Sequence, residues 1–129
     1  MKIAVRYYSK LGNTEKIARA ITEGAGVEAR SIADEPTLPE RADVLFLGGA
    51  PYANIMAPEL KAYAEGLSAE TVGKVILFTT SNWSRRTVLA LKKLLAEKNI
   101  PVEDESFYAH MLNISGRTEA AKEFGRTMA

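Results

Sequence analysis

The chain has 129 residues, 17 basic against 16 acidic side chains, and no cysteine. That length suits one compact domain spanning residues 1–129, with a core that needs no cross-links. The missing cysteine excludes a disulfide scaffold, a thiolate metal site and a cysteine nucleophile. No basic stripe stands out, which argues against a nucleic-acid partner. No apolar run approaches the ~20 residues of a membrane span, and no signal-peptide layout precedes the first strand pattern. The expectation is a cytoplasmic protein with no membrane, metal or nucleic-acid partner.

In chain order, Ile3 to Tyr8 reads as a first strand, and Asn13 to about Ala25 as a helix with Ile17, Ala18 and Ile21 on one face. Val27 to Ile32 is a short second strand, and Ala33 to Pro39 a polar, proline-marked loop. Val44 to Gly49 is a buried strand ending in glycines, followed by a short helix from Pro58 to Leu67. Lys74 to Thr80 is the fourth strand. Ser84 to Lys98 is the clearest amphipathic helix, with Val88, Leu91, Leu94 and Leu95 inward and Asn99 and Pro101 ending it. Val102 to His110 alternates as a fifth strand, and Gly116 to about Met128 is the last helix.

This reads as βαβαβαβαβα. Nearly continuous apolar runs such as Val44-Leu45-Phe46-Leu47 belong to strands buried on both faces. The fold class is therefore α/β: a three-layer sandwich with a five-stranded parallel sheet and helices on both faces. Ligands of such sheets sit beyond the strand C-termini, where the strand order reverses.

The loop Ser9-Lys10-Leu11-Gly12-Asn13-Thr14 leaves the first strand and opens the first helix. Unpaired N–H groups at a helix start, with the helix dipole behind them, favour an anion. Gly12 lets the backbone bend toward a ligand, and Ser9, Asn13 and Thr14 add side-chain donors. The six together read as a phosphate nest. Taken singly, Gly12 is equally a turn and Asn13 or Thr14 a helix cap. The loop is neither a Walker A sequence nor G-x-G-x-x-G.

The run Val5 to Ile21 resembles the flavodoxin signature, with Tyr7, Ser9, Gly12, Thr14, Ala18 and Ile21 in register. The resemblance in element order covers essentially the whole chain; at residue level it is strong only in this loop. It implies strand order 2-1-3-4-5 and a loop that wraps the FMN 5′-phosphate with Ser9, Lys10, Leu11, Gly12, Asn13 and Thr14. Two positions depart from the signature. Arg6 stands where an apolar residue is usual, and burying its charge requires a partner. Leu11 stands where a hydroxyl residue is common.

The resemblance also implies two loops that sandwich the flavin ring. One is Pro51, Tyr52, Ala53 and Asn54 after the third strand. The other is Thr80, Ser81, Asn82 and Trp83 after the fourth, where Trp83 is the only tryptophan. Aromatic faces stack well on a flat ring; ordinary loop packing for Tyr52 and Trp83, and an N-cap role for Ser81 or Ser84, stay open. No Asp or Glu occurs between Glu70 and Glu97, while Arg85 and Arg86 follow the tryptophan. Positive charge beside an anionic reduced flavin stabilises it, so a reduction potential less negative than that of an acidic flavodoxin is expected. His110, the only histidine, ends the fifth strand, as a structural residue or as one reaching the ring or a partner.

Three functions follow from these readings. The first is an FMN-binding electron-transfer protein with a reductase and an acceptor as redox partners and no catalytic residue of its own. The second is a small flavin-dependent NAD(P)H or quinone oxidoreductase, against which the short loops argue. The third is a flavodoxin-like module that has lost flavin and acts in binding.

Overall fold

Val5, Leu45, Phe46, Leu47, Ile76 and Leu77 are wholly buried, as central strands covered on both faces require. The computed structural model describes residues 1–52, 55–81 and 84–129, Tyr52 by its backbone alone. Its elements are β1 (Ile3–Tyr8), α1 (Asn13–Ala25), β2 (Ala29–Ser31), β3 (Ala42–Gly49), β4 (Pro51–Tyr52), β5 (Ile55–Met56), α2 (Pro58–Glu65), β6 (Val72–Ser81), α3 (Arg86–Glu97), β7 (Phe107–His110) and α4 (Thr118–Met128), with a 3₁₀ turn at Ser115–Arg117. The main sheet is parallel throughout, in the order β2-β1-β3-β6-β7. The expected 2-1-3-4-5 order is therefore present once the small antiparallel pair β4–β5 is left out of the count.

Strand alternation sorts the side chains. Val5 and Tyr7 join Ile17, Ala18 and Ile21 of α1 and Ala121 and Phe124 of α4 in one core. Leu45, Leu47, Val75 and Leu77 join Leu60, Tyr63 and Ala64 of α2 and Val88, Leu91 and Leu95 of α3 in the other. Each such aliphatic or Phe side chain contributes roughly 1.5–3 kcal/mol by leaving water. Leu94 is only partly buried, at the rim of the second core.

Helices α1 and α4 meet almost backbone to backbone. A Cβ on Gly24 would lie 1.8 Å from the Lys122 carbonyl oxygen, and one on Gly125 would lie 2.1 Å from that of Ile21. Only glycine permits this approach from either side.

Two strands are shorter than the sequence pattern by more than two residues. β2 is shorter than Val27 to Ile32 because it is an edge strand with one neighbour. β7 begins only at Phe107. Val102 makes a single bridge to Val75, and the consecutive charges Glu103, Asp104 and Glu105 intervene. Among the described residues no helix lies between β2 and β3, which agrees with the loop reading of Ala33 to Pro39 and leaves the βαβαβαβαβα alternation one helix short. That crossover carries Pro36 and Pro39, which lack the N–H that a helix interior needs.

The helix-free crossover explains Arg6. Its side chain is buried, with Nη1 donating to the Val5 carbonyl at 3.1 Å and Nη2 3.6 Å from Glu35 of the crossover. Arg30 on β2 lies 3.6 Å from the same carboxylate oxygen. Glu35 thus pins the loop to the strands beneath it. A cavity of about 320 Å³ lined by Arg6, Arg30, Glu35 and Leu38, among others, opens there.

Candidate functional site

The connections from β1 run toward β2, and those from β3 run toward β6, so the order reverses between β1 and β3. A crevice at their C-terminal ends is where such sheets take ligands. The loop of residues 9–14 starts at that point. Gly12 is the N-cap of α1 at φ +92°, a left-handed conformation that other residues adopt only under strain, with nothing within 4 Å of where a Cβ would sit. No side chain caps the helix. The N-cap reading of Asn13 or Thr14 is therefore replaced: they are the first two residues inside α1, and their N–H groups lie at its open end.

Ser9 Oγ accepts from Gly12 N–H at 3.0 Å, which closes the turn and leaves the hydroxyl proton to donate elsewhere. Leu11 is 76% exposed, so this position offers an anion only its backbone. Lys10 is exposed on the same loop.

Three consecutive hydroxyls at the end of β6 tie the loops of this edge together. Thr79 donates to the Gly49 carbonyl at 2.8 Å, linking β6 to the end of β3. Thr80 and Thr14 share a buried hydroxyl–hydroxyl hydrogen bond of 2.8 Å. Ser81 donates to the Ser84 carbonyl at 2.9 Å, and Ser84 Oγ accepts from Arg86 N–H at 3.3 Å where α3 begins. The hydroxyls of Thr14, Thr80 and Ser81 therefore point into the protein and hold loops in register. What they offer a ligand is backbone.

Tyr108 on β7 adds a fourth tie, donating to the Ser81 carbonyl at 2.9 Å. The sequence reading passed over it; its alternation with Phe107 and Ala109 was the available signal. His110 Nδ1 accepts from Leu112 N–H at 3.1 Å and so helps shape the turn after β7. Tyr8 donates to Glu59 at 2.7 Å, and this bond, with the Glu59 backbone N–H and, least, the Lys10 charge, holds the Glu59 carboxyl below its ordinary range. Tyr7 donates to Glu15 at 3.1 Å in the first turn of α1.

Pro51 and the backbone of Tyr52 pair with Met56 and Ile55 as a small ribbon after β3. The Tyr52 side chain, Ala53, Asn54, Asn82 and Trp83 lie outside the described residues, and with them the expected stacking faces.

No protein-family model matches the sequence, and no curated protein matches it significantly. Solved structures do match. Flavodoxin 1 from Bacillus cereus, in its oxidised form, is 20% identical with a TM-score of 0.78, covering 97% of this chain and 95% of its own. A flavodoxin from the domain Archaea is 20% identical with a TM-score of 0.75, covering 100% and 96%. A Fusobacterium nucleatum flavodoxin bound to flavin mononucleotide is 15% identical with a TM-score of 0.72, covering 99% and 96%. The chain has the flavodoxin fold over its whole described length.

Proposed function

We propose that this protein is a cytoplasmic FMN-binding electron carrier that exchanges electrons with a reductase and an acceptor. The observation that carries the reading is the open N-terminus of α1, entered through left-handed Gly12 at the point where strand order reverses. The backbone N–H groups there, Ser9 Oγ and Asn13 fit a phosphomonoester dianion, and each charge-assisted hydrogen bond contributes about 1.5–3 kcal/mol. Residues 51–54 and 80–83 would flank the ring, and the F. nucleatum flavodoxin of the same fold binds FMN. FMN would supply the redox chemistry.

The chain's own residues hold and orient. The buried Thr14–Thr80 bond joins the phosphate loop to the strand that carries one ring loop. A carrier needs no proton relay of its own. Arg85 and Arg86, close in sequence to the ring loop, raise the reduction potential relative to that of an acidic flavodoxin.

The test is to load the protein with FMN, reduce it photochemically and follow reoxidation by an added one-electron acceptor. A carrier bleaches and recovers reversibly, and it does not sustain NAD(P)H oxidation with a quinone. Sustained NAD(P)H–quinone turnover by the purified protein overturns the carrier reading in favour of an oxidoreductase.

A further inference from the structure

Helix α3 carries its charges against its dipole. Among the described helices, α1, α2 and α4 each hold an acid in the first turn, where the positive end of the dipole favours it. α3 has none there. Arg85 is its N-cap, Arg86 its first residue and Glu97 its last. Both arginines oppose the dipole, a local cost that the fold's own contacts do not return. Among the described residues, neither they nor Lys93 form an ion pair.

The outward positions of α3 fall at helical spacing. Arg86, Leu89, Ala90 and Lys93 are exposed and share one face, with Arg85 exposed just above. Leu89 is 57% exposed in the middle of that basic stripe. The stripe ends near a second apolar group. Leu112, 87% exposed, follows Met111, whose N–H donates to the Ser81 carbonyl at 3.0 Å at the end of the strand leading into α3. Lys92 turns away, donating to the Asp104 carbonyl at 3.3 Å, which sets the acidic 103–105 segment as one border.

We infer that the outer face of α3, Arg85–Arg86–Leu89–Lys93 with Leu112 at its upper end, is the docking surface for an acidic redox protein. Unpaired cations around an exposed apolar centre match a partner whose own apolar patch is ringed by Asp and Glu. Met111 N–H meets the carbonyl of Ser81, a residue of the proposed ring loop, so such a partner would seat beside the flavin. That the partner is a redox protein rests on the carrier reading; that it is acidic rests on α3 alone.

The experiment is a titration of the ¹⁵N-labelled protein, with and without FMN, followed by amide shifts. The probe is an acidic plant-type [2Fe–2S] ferredoxin, and a basic cytochrome c is the control. The ferredoxin should shift amides of residues 85–93 and 111–112, with affinity falling at least about tenfold between ~50 mM and ~300 mM NaCl. The variant Arg86→Glu/Lys93→Glu should lose affinity by a similar factor. It should unfold within a few degrees of the parent, because the acid at position 86 agrees with the dipole while the one at 93, four residues before Glu97, offsets that gain. That combination separates docking from a structural role.

Tighter binding of cytochrome c at this face, ferredoxin shifts centred elsewhere, no binding by either probe, or an unaffected variant overturns the inference. Ferredoxin docking by a protein that fails to take up FMN overturns the carrier reading instead and leaves the surface standing.

Discussion

The two faces of the sheet are built on different terms. The α1/α4 face is apolar and tightly closed. Glycines 24 and 125 bring two backbones together, and Phe124 meets Phe46 and Phe107 at centroid distances of 6.2 and 5.4 Å. The α2/α3 face holds the buried Arg6, the helix-free crossover and its cavity. Among the described residues, the buried polar atoms without a hydrogen bond are Arg6 Nε, Glu35 Oε2, Tyr63 Oη and Thr87 Oγ1, all on that second face. The division suits the proposed roles. The closed face anchors α1, whose N-terminus must stay fixed to hold a phosphate. The other face carries α3, whose outer residues are free to serve a partner rather than the fold.

Breaking the closed face should cost most. Gly24→Ala drives a Cβ into the backbone of α4, and we expect a loss of about 3 kcal/mol in chemical denaturation. A loss within about 0.5 kcal/mol would mean that the helices separate freely and the two faces do not differ as described.

The buried charge should come next. Glu35→Ala leaves Arg6 without its carboxylate, and a broken buried pair costs about 3–5 kcal/mol. Glu35 is 27% exposed, so about 2 kcal/mol is expected after allowance for solvent. Arg6→Met/Glu35→Leu should recover most of that, since an apolar pair removes both charges at once. Failure of the double variant to recover would show that the ion pair does more than neutralise Arg6.

The polar tie within the closed face, between α1 and β6, is smaller. Thr80→Val strands the buried Thr14 hydroxyl, for about 1.5 kcal/mol in stability. It should also weaken FMN binding, because Thr14 lies in the phosphate loop. Thr14→Val/Thr80→Val should regain stability but not FMN affinity; regaining both would reduce the pair to packing.

Tyr63→Phe gives the smallest effect and a gain. The hydroxyl lies near Arg6 without a hydrogen bond of good geometry, and losing it should stabilise by about 0.5 kcal/mol. Burial raises the Tyr63 phenol above its ordinary 10.0, with the Arg6 charge pulling the other way. The fold therefore favours the neutral phenol. That stability is fully present below pH 10.0 and is lost as pH rises through the folded value. Tyr63→Phe should flatten the alkaline fall in unfolding midpoint; an unchanged slope would assign the fall to other groups, Tyr7 among them.

Much of this was legible in the sequence, for reasons that particular residues make plain. Ile3 to Tyr8 and Asn13 to Ala25 carry unbroken patterns, and their bounds are those expected. The six residues 9–14 mark the proposed phosphate loop in the sequence, and the structure adds the left-handed φ of Gly12 at the start of α1. Edge strands were overextended because β2 and β7 have one neighbour each, so sequence pattern outruns pairing. The inward direction of the Thr14, Thr80 and Ser81 hydroxyls was not legible, since a hydroxyl at a strand end serves a ligand or a loop equally well. Arg6 reads from the sequence as needing a partner, but nothing in the loop Ala33 to Pro39 singles out Glu35 as the residue that supplies it. Gly24 and Gly125, far apart in the chain, gave no local sign of meeting.

The most direct test of the account is a fluorescence titration of the flavin-free protein with FMN beside riboflavin, which lacks the phosphate. Two charge-assisted hydrogen bonds at residues 9–14 predict FMN affinity about a hundredfold or more above that of riboflavin. Equal affinities, or no binding of FMN, would contradict the claim that the open end of α1 is a phosphate site.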